Sequence, residues 1–113
     1  LVPVEQGGSG LELLDAALAA EELGWGCAPG PFLGVAMATV ALAESDAAAA
    51  RERWLPAIAS GERVVTFALG EGLGEWDAAR LTTRATGGEL SGEKPLVPYG
   101  GIADAVVVAA VDD

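Results

Sequence analysis

The stretch Ser60-Gly61-Glu62-Arg63-Val64-Val65-Thr66-Phe67-Ala68-Leu69 divides the chain into two kinds of sequence. From Val64 to Leu69 the residues are β-branched, aromatic or apolar, the composition of a buried strand. Gly70, Gly72 and Gly74 then interrupt it. Ser60-Gly61-Glu62, with a glycine at its centre, marks the end of the helical section that precedes it.

Upstream, three helices are expected. Leu11 to Leu23 consists of strong helix formers, entered from the Gly7-Gly8-Ser9-Gly10 turn and stopped by Gly24. Leu14, Ala17 and Leu18 share one side, and the breadth of the apolar sector suggests burial against more than one neighbour. Cys27-Ala28-Pro29-Gly30-Pro31 must turn the chain. Phe32 to Ala43 carries no charge and should form a largely buried helix. Ser45 is placed to cap a third helix beginning at Asp46, with Pro56 opening one further turn.

Downstream, Leu81 to Thr86 and Glu89 to Lys94 flank Gly87-Gly88, a two-residue loop that signals a hairpin. Ala105 to Val111 is almost wholly apolar and is expected to be a single central strand. Helices followed by strands, rather than alternating with them, predict an α+β fold divided near Gly61.

Composition narrows the functional classes. The chain has 113 residues, 51% of them hydrophobic but only 5% aromatic, so helices packed through small side chains are expected. Length and the non-methionine start at Leu1 suggest a piece of a longer protein. Six Lys and Arg against seventeen Asp and Glu give a formal charge of -11, which disfavours nucleic acid and anionic membranes as partners. The absence of histidine and the single Cys27 argue against a metal site or an internal disulfide and suit a reducing cytoplasm. Apolar runs are broken before the ~18 residues a membrane span needs.

The motifs are modest taken singly. The glycine loop at 7–10 precedes a helix but lacks a Walker lysine, and a plain entry turn accounts for it. Glu71, Glu75 and Asp77 form an acidic group with no histidine nearby, and a solvated loop is expected there rather than an acid–base pair. Trp25 and Trp54 are expected to pack at helix ends, Cys27 to be a small packing residue, and Trp76 to be the tryptophan in an unusual loop.

In order and spacing the segments resemble the acyl-CoA dehydrogenase superfamily. Pro3-Val4-Glu5-Gln6-Gly7-Gly8-Ser9-Gly10 followed by Glu21-Glu22-Leu23-Gly24 is similar to the family's Pro-Glu-x-x-Gly-Gly loop and Glu-Glu-Leu-Gly helix. Arg53-Trp54-Leu55-Pro56 with Ser60-Gly61-Glu62 resembles the turn leading into the middle β domain. Gly92-x-Lys94 with Gly100, Ala103 and Asp104 matches the spacing of Gly-x-Lys-x-Trp-Ile-Thr-Asn-Gly-x-x-Ala-Asp.

The resemblance implies residues 1–61 from an N-terminal helical domain and 62–113 from the start of an antiparallel, β-barrel-like middle domain, without the C-terminal helical bundle that commonly carries the catalytic base. It implies FAD as cofactor, an acyl-CoA thioester as substrate, α,β-dehydrogenation as reaction and a homo- or hetero-tetrameric parent. No catalytic residue is expected here, and Glu71 is not taken for the base. The residues expected along the flavin are Phe67, Leu69, Gly70, Leu96, Val97 and Pro98, with Trp76 towards the substrate. Gly70 stands where the family has Thr, Trp76 where it has Ser, and Leu96-Val97-Pro98 where it has Trp-Ile-Thr. These departures keep open a second reading, a non-catalytic partner subunit of a heteromeric dehydrogenase, and a third, a scaffold fragment that binds nothing.

Overall fold

A computed structural model describes residues 1–72 and 76–112. After a 3-10 turn at Val4–Gln6 come α1 (Leu13–Trp25), α2 (Phe32–Ala43) and α3 (Ala48–Ala59). They are followed by β1 (Val65–Ala68), a short 3-10 turn at Ala78–Arg80, β2 (Arg84–Thr86), β3 (Glu89–Ser91), β4 (Ala105–Val108) and β5 (Val111–Asp112). The fold is α+β, with helices first and strands in two sheets, one parallel and one mixed. β1 pairs with β4 in parallel, Val65 opposite Ala105 through Ala68 opposite Val108. β2 pairs antiparallel with β3 across the glycine turn and in parallel with β5.

Local chemistry sets the helix limits, with some departures from the sequence expectation. α1 starts two residues late because Glu12 and Asp15 form a reciprocal capping box, the Asp15 carboxylate accepting from the Glu12 amide at 2.8 Å. Gly24 does not stop α1; it lies inside the helix, which closes at Gly26. The broad apolar sector of α1 is not buried: Leu14 is 71% exposed and Trp25 81%. Ser45 does not cap α3. Its hydroxyl turns back to donate to the Leu42 carbonyl at 3.0 Å, and α3 begins after Ala47 with no side-chain cap. Pro56 sits within α3 rather than opening a new turn, and the helix runs on to Ala59. Cys27 is exposed in a left-handed turn, φ 45°, not packed.

The core belongs to both halves of the chain. Val2, Ala38, Leu42, Leu55 and Val65 are buried together, so α2, α3 and β1 share one apolar cluster. Trp54 packs at its margin, with the Arg53 guanidinium 4.9 Å from the ring centroid. α2 lies unusually close to β1 because Gly34 presents no side chain to it. A Cβ at Gly34 would strike the Thr66 hydroxyl.

The strand expected over Ala105–Val111 is two strands. The Ala109 amide donates to Ala68 at 3.0 Å while the Val111 amide donates to Thr83 at 2.9 Å, so the chain leaves one ladder and joins the other between them. Asp104 fixes the register where β4 begins. Its carboxylate accepts from the Val64 amide at 2.8 Å and from Arg63 at 2.7 Å, and these donors, the amide foremost, hold it below the usual carboxylate range. The Gly87-Gly88 hairpin forms as expected, with φ of 60° and 87°, values that suit glycine.

Candidate functional site

Beyond the end of β1, the segment Leu69–Gly72 faces a second segment, Pro95–Pro98, across an apolar hollow floored by Leu33 and Met37 of α2. Phe67, Leu69, Gly70, Leu96, Val97, Pro98 and Trp76 all line it. Residues up to 31 positions apart in sequence (67 to 98) are therefore brought to one place. The enclosed space is about 70 Å³, whereas a pocket that buries a whole ligand encloses roughly 300–1,000 Å³. The hollow is thus too small to bury a whole ligand by itself.

Two walls need two kinds of support. Among the described residues β1 has a strand neighbour on one side, β4, and none on its other edge. The Pro95–Pro98 wall is a loop held in a costly shape: Leu96 and Tyr99 have φ of 57° and 54°, a region that costs a non-glycine residue about 1 kcal/mol. Fixed contacts hold it there. The buried Thr66 hydroxyl donates to the Pro98 carbonyl at 2.7 Å, the Gly100 amide to the Val97 carbonyl at 3.1 Å, and the Gly30 amide to the Tyr99 hydroxyl at 2.9 Å. The last contact ties the loop to the turn entering α2.

Glu71 is the main correction to the sequence reading. It was expected in a solvated acidic loop, yet it is buried, 8% exposed. One carboxylate oxygen accepts from the Thr82 amide and hydroxyl, both at 2.6 Å; the other accepts from the Thr83 amide at 2.9 Å and the Lys94 ammonium at 2.8 Å. The Lys94 ammonium first, then the Thr82 hydroxyl and the neighbouring amides, hold Glu71 far below the usual carboxylate range. A carboxylate so supplied with donors is a poor proton acceptor. Asp77, the third acidic residue of that loop, accepts from the Ala79 amide at 2.9 Å and caps the short turn after it. Glu75 lies outside the described residues.

This arrangement sets the sign of a pH dependence. The folded state keeps Glu71 ionised to lower pH than the unfolded chain, whose glutamates titrate near ~4.3. Its contribution is therefore fully present above that value and is lost as the pH falls towards the depressed folded one. Glu71→Gln in the intact protein is expected to lower the urea midpoint at pH 7. It should also flatten the decline seen on acidification from pH ~5 to ~3. Parallel declines in the two proteins would refute this role.

Sequence reasoning missed Lys94, Thr66, Thr82 and Tyr99 as supports of the hollow. Lys94 offered a signal: it is one of only six cations and directly precedes the apolar run Pro95-Leu96-Val97-Pro98. Thr66 and Tyr99 offered none, because their partners are main-chain groups 32 and 69 residues away. Among the described residues no group of His, Cys, Asp and Glu is placed to hold a metal ion, and no helix is long and apolar enough to cross a membrane.

Residues 1–62 match the family model for the acyl-CoA dehydrogenase N-terminal domain. The chain belongs to the acyl-CoA dehydrogenase family. Its relatives include the acyl-CoA dehydrogenase IpdE2 of Mycobacterium tuberculosis, 36% identical over 95 residues, covering 80% of this chain and 28% of the relative. The acyl-CoA dehydrogenase FadE27 of the same organism is 33% identical over 112 residues, 98% of this chain and 30% of the relative. The cyclohex-1-ene-1-carbonyl-CoA dehydrogenase of Syntrophus aciditrophicus is 31% identical over 120 residues, 100% of this chain and 29% of the relative. The chain thus spans less than a third of the length of these acyl-CoA dehydrogenases. No solved structure matches it.

Proposed function

We propose that the intact protein is an FAD-dependent oxidoreductase of acyl-CoA thioesters in which this chain supplies one wall of the flavin site. Residues 1–61 form the end of its helical domain and 62–113 the start of its middle β domain; the parent is a cytoplasmic oligomer. The observation that carries the reading is the convergence of Phe67, Leu69, Gly70, Leu96, Val97 and Pro98 on a single apolar hollow beyond the end of β1. Such a surface suits a planar aromatic ring system, which gains from apolar contact on its face and from main-chain groups at its rim. Bound there, FAD would supply the acceptor for the hydride leaving the β carbon of the thioester. Trp76, 64% exposed and lining the hollow, is the residue we assign to the acyl-CoA side.

The available main-chain contacts are few. The Leu69, Val97 and Pro98 carbonyls already accept from Lys94, Gly100 and Thr66, and Pro98 has no amide hydrogen. Phe67, Gly70 and Leu96 are then the residues whose backbone is expected to meet the ring. With the side-chain hydroxyls absent at Gly70 and Pro98, this spare donor set favours a second reading, a subunit that supports a flavin held mainly by a paired chain. The visible spectrum decides between them. The intact protein purified alone is expected to carry absorbance near ~450 nm from bound flavin. Flavin retained only with a second dehydrogenase chain would move the reading to the partner subunit, and flavin in neither preparation would overturn both.

A further inference from the structure

We propose that Lys94 is a positioning residue that ties the two walls of the hollow to each other. Its ammonium donates to the Leu69 carbonyl at 3.0 Å and to the Glu71 carboxylate at 2.8 Å, both on the Leu69–Gly72 wall, while its own backbone begins the Pro95–Pro98 wall. The side chain is 8% exposed and its Glu71 partner 10%, so these charge-assisted bonds are shielded from water and from competing ions.

The other fastenings cannot do this. Thr66 joins the far end of the Pro95–Pro98 wall to β1, and Tyr99 joins it to the turn before α2. Neither reaches Leu69–Gly72. Pro95 follows Lys94 directly and has a fixed φ, so a displacement at Lys94 passes into Leu96, which already stands in a left-handed conformation that only its surroundings maintain. At the opposite wall, Glu71 carries the constraint onward, gathering the Thr82 and Thr83 amides ahead of β2. The spacing across the hollow is in this way set by one buried ammonium with a partner on each side of Gly70.

The flavin part of this inference rests on the proposed function; the tether itself does not. Hydrogen exchange by mass spectrometry on the intact protein, with Lys94→Met beside the unaltered protein, reads the tether directly. Exchange of the Thr82 and Thr83 amides, held by Glu71 at one wall, and of the Gly100 amide, held by the Val97 carbonyl at the other, is expected to rise about tenfold, the scale of one lost charge-assisted hydrogen bond, while 65–68 and 105–108 stay protected. Flavin affinity should fall by a similar factor if the hollow faces the ring. An equal rise throughout the chain, or no rise at the two walls, would overturn the proposal. Should Lys94→Met fail to fold, the double variant Lys94→Met with Glu71→Met leaves no uncompensated charge and is judged by the same exchange pattern. Loosened walls in a protein that holds no flavin even when unaltered would keep the tether and reject the flavin reading. A flavin-loaded protein indifferent to the substitution would reject the tether and keep the flavin.

Discussion

Leu55→Ala is expected to destabilise the intact protein by about 3 kcal/mol, measured as a shift of the urea midpoint at unchanged slope. Leu55 is fully buried on α3, in a cluster with Val2, Ala38, Leu42 and Val65. Its loss removes apolar contact with both the helical segment and β1 and leaves a cavity beside Ala38, which has no side chain long enough to fill it. Domains are stable by only about 5–15 kcal/mol in total, so this one truncation takes a large share. A loss under about 1 kcal/mol would show that the neighbours collapse into the space and that the cluster is not the rigid centre described.

Gly34→Ala is expected to cost about 2 kcal/mol, although alanine is the better helix former by about 1 kcal/mol. The added methyl would strike the Thr66 hydroxyl, and Gly34 also lies close to the Pro98 carbonyl that this hydroxyl bonds. Either α2 lifts from β1 or the Thr66 to Pro98 bond breaks, and both outcomes disturb the wall carrying Leu96 and Val97. The effect should therefore appear twice, in the thermal midpoint and in faster exchange of the Gly100 amide, held by the Val97 carbonyl. Stabilisation by the substitution would mean that helix propensity outweighs contact here and that α2 is free to move.

The two segments of the chain differ in how well they could be read. The limits of α2 were legible residue for residue, since an uncharged run between Pro31 and Glu44 leaves few alternatives to a helix, but its burial was not: Gly34, Ala38, Thr39 and Leu42 are buried while Leu33 is 66% exposed. The hairpin was legible for a similar reason, because Gly87-Gly88 admits the turn conformation that other residues resist. α1 was legible as a helix but not in its burial, for an apolar stripe records what a helix is able to cover and not what lies beside it. The break between β4 and β5 was invisible, because Ala109 and Ala110 are as apolar as the residues around them; the run divides where the Ala109 amide still donates to Ala68 and the Val111 amide donates to Thr83 instead.

The α+β order followed from residue type and spacing along the chain, and the motifs carried the resemblance to the family; that Phe67, Leu69, Gly70, Leu96, Val97 and Pro98 meet in one hollow is decided by the fold. So is the state of Glu71. Its neighbours in sequence are glycines and acids that point to solvent, whereas its partners in space are Thr82, Thr83 and Lys94, 11 to 23 residues further on. Only the tertiary structure brings a cation and a set of amides around that carboxylate, because burial and pairing depend on which distant backbone passes nearby. The same holds for the shape of the hollow. Leu96 and Tyr99 take a conformation their own side chains disfavour, and it is the bonds from Lys94, Thr66 and Gly30 that hold the loop in it.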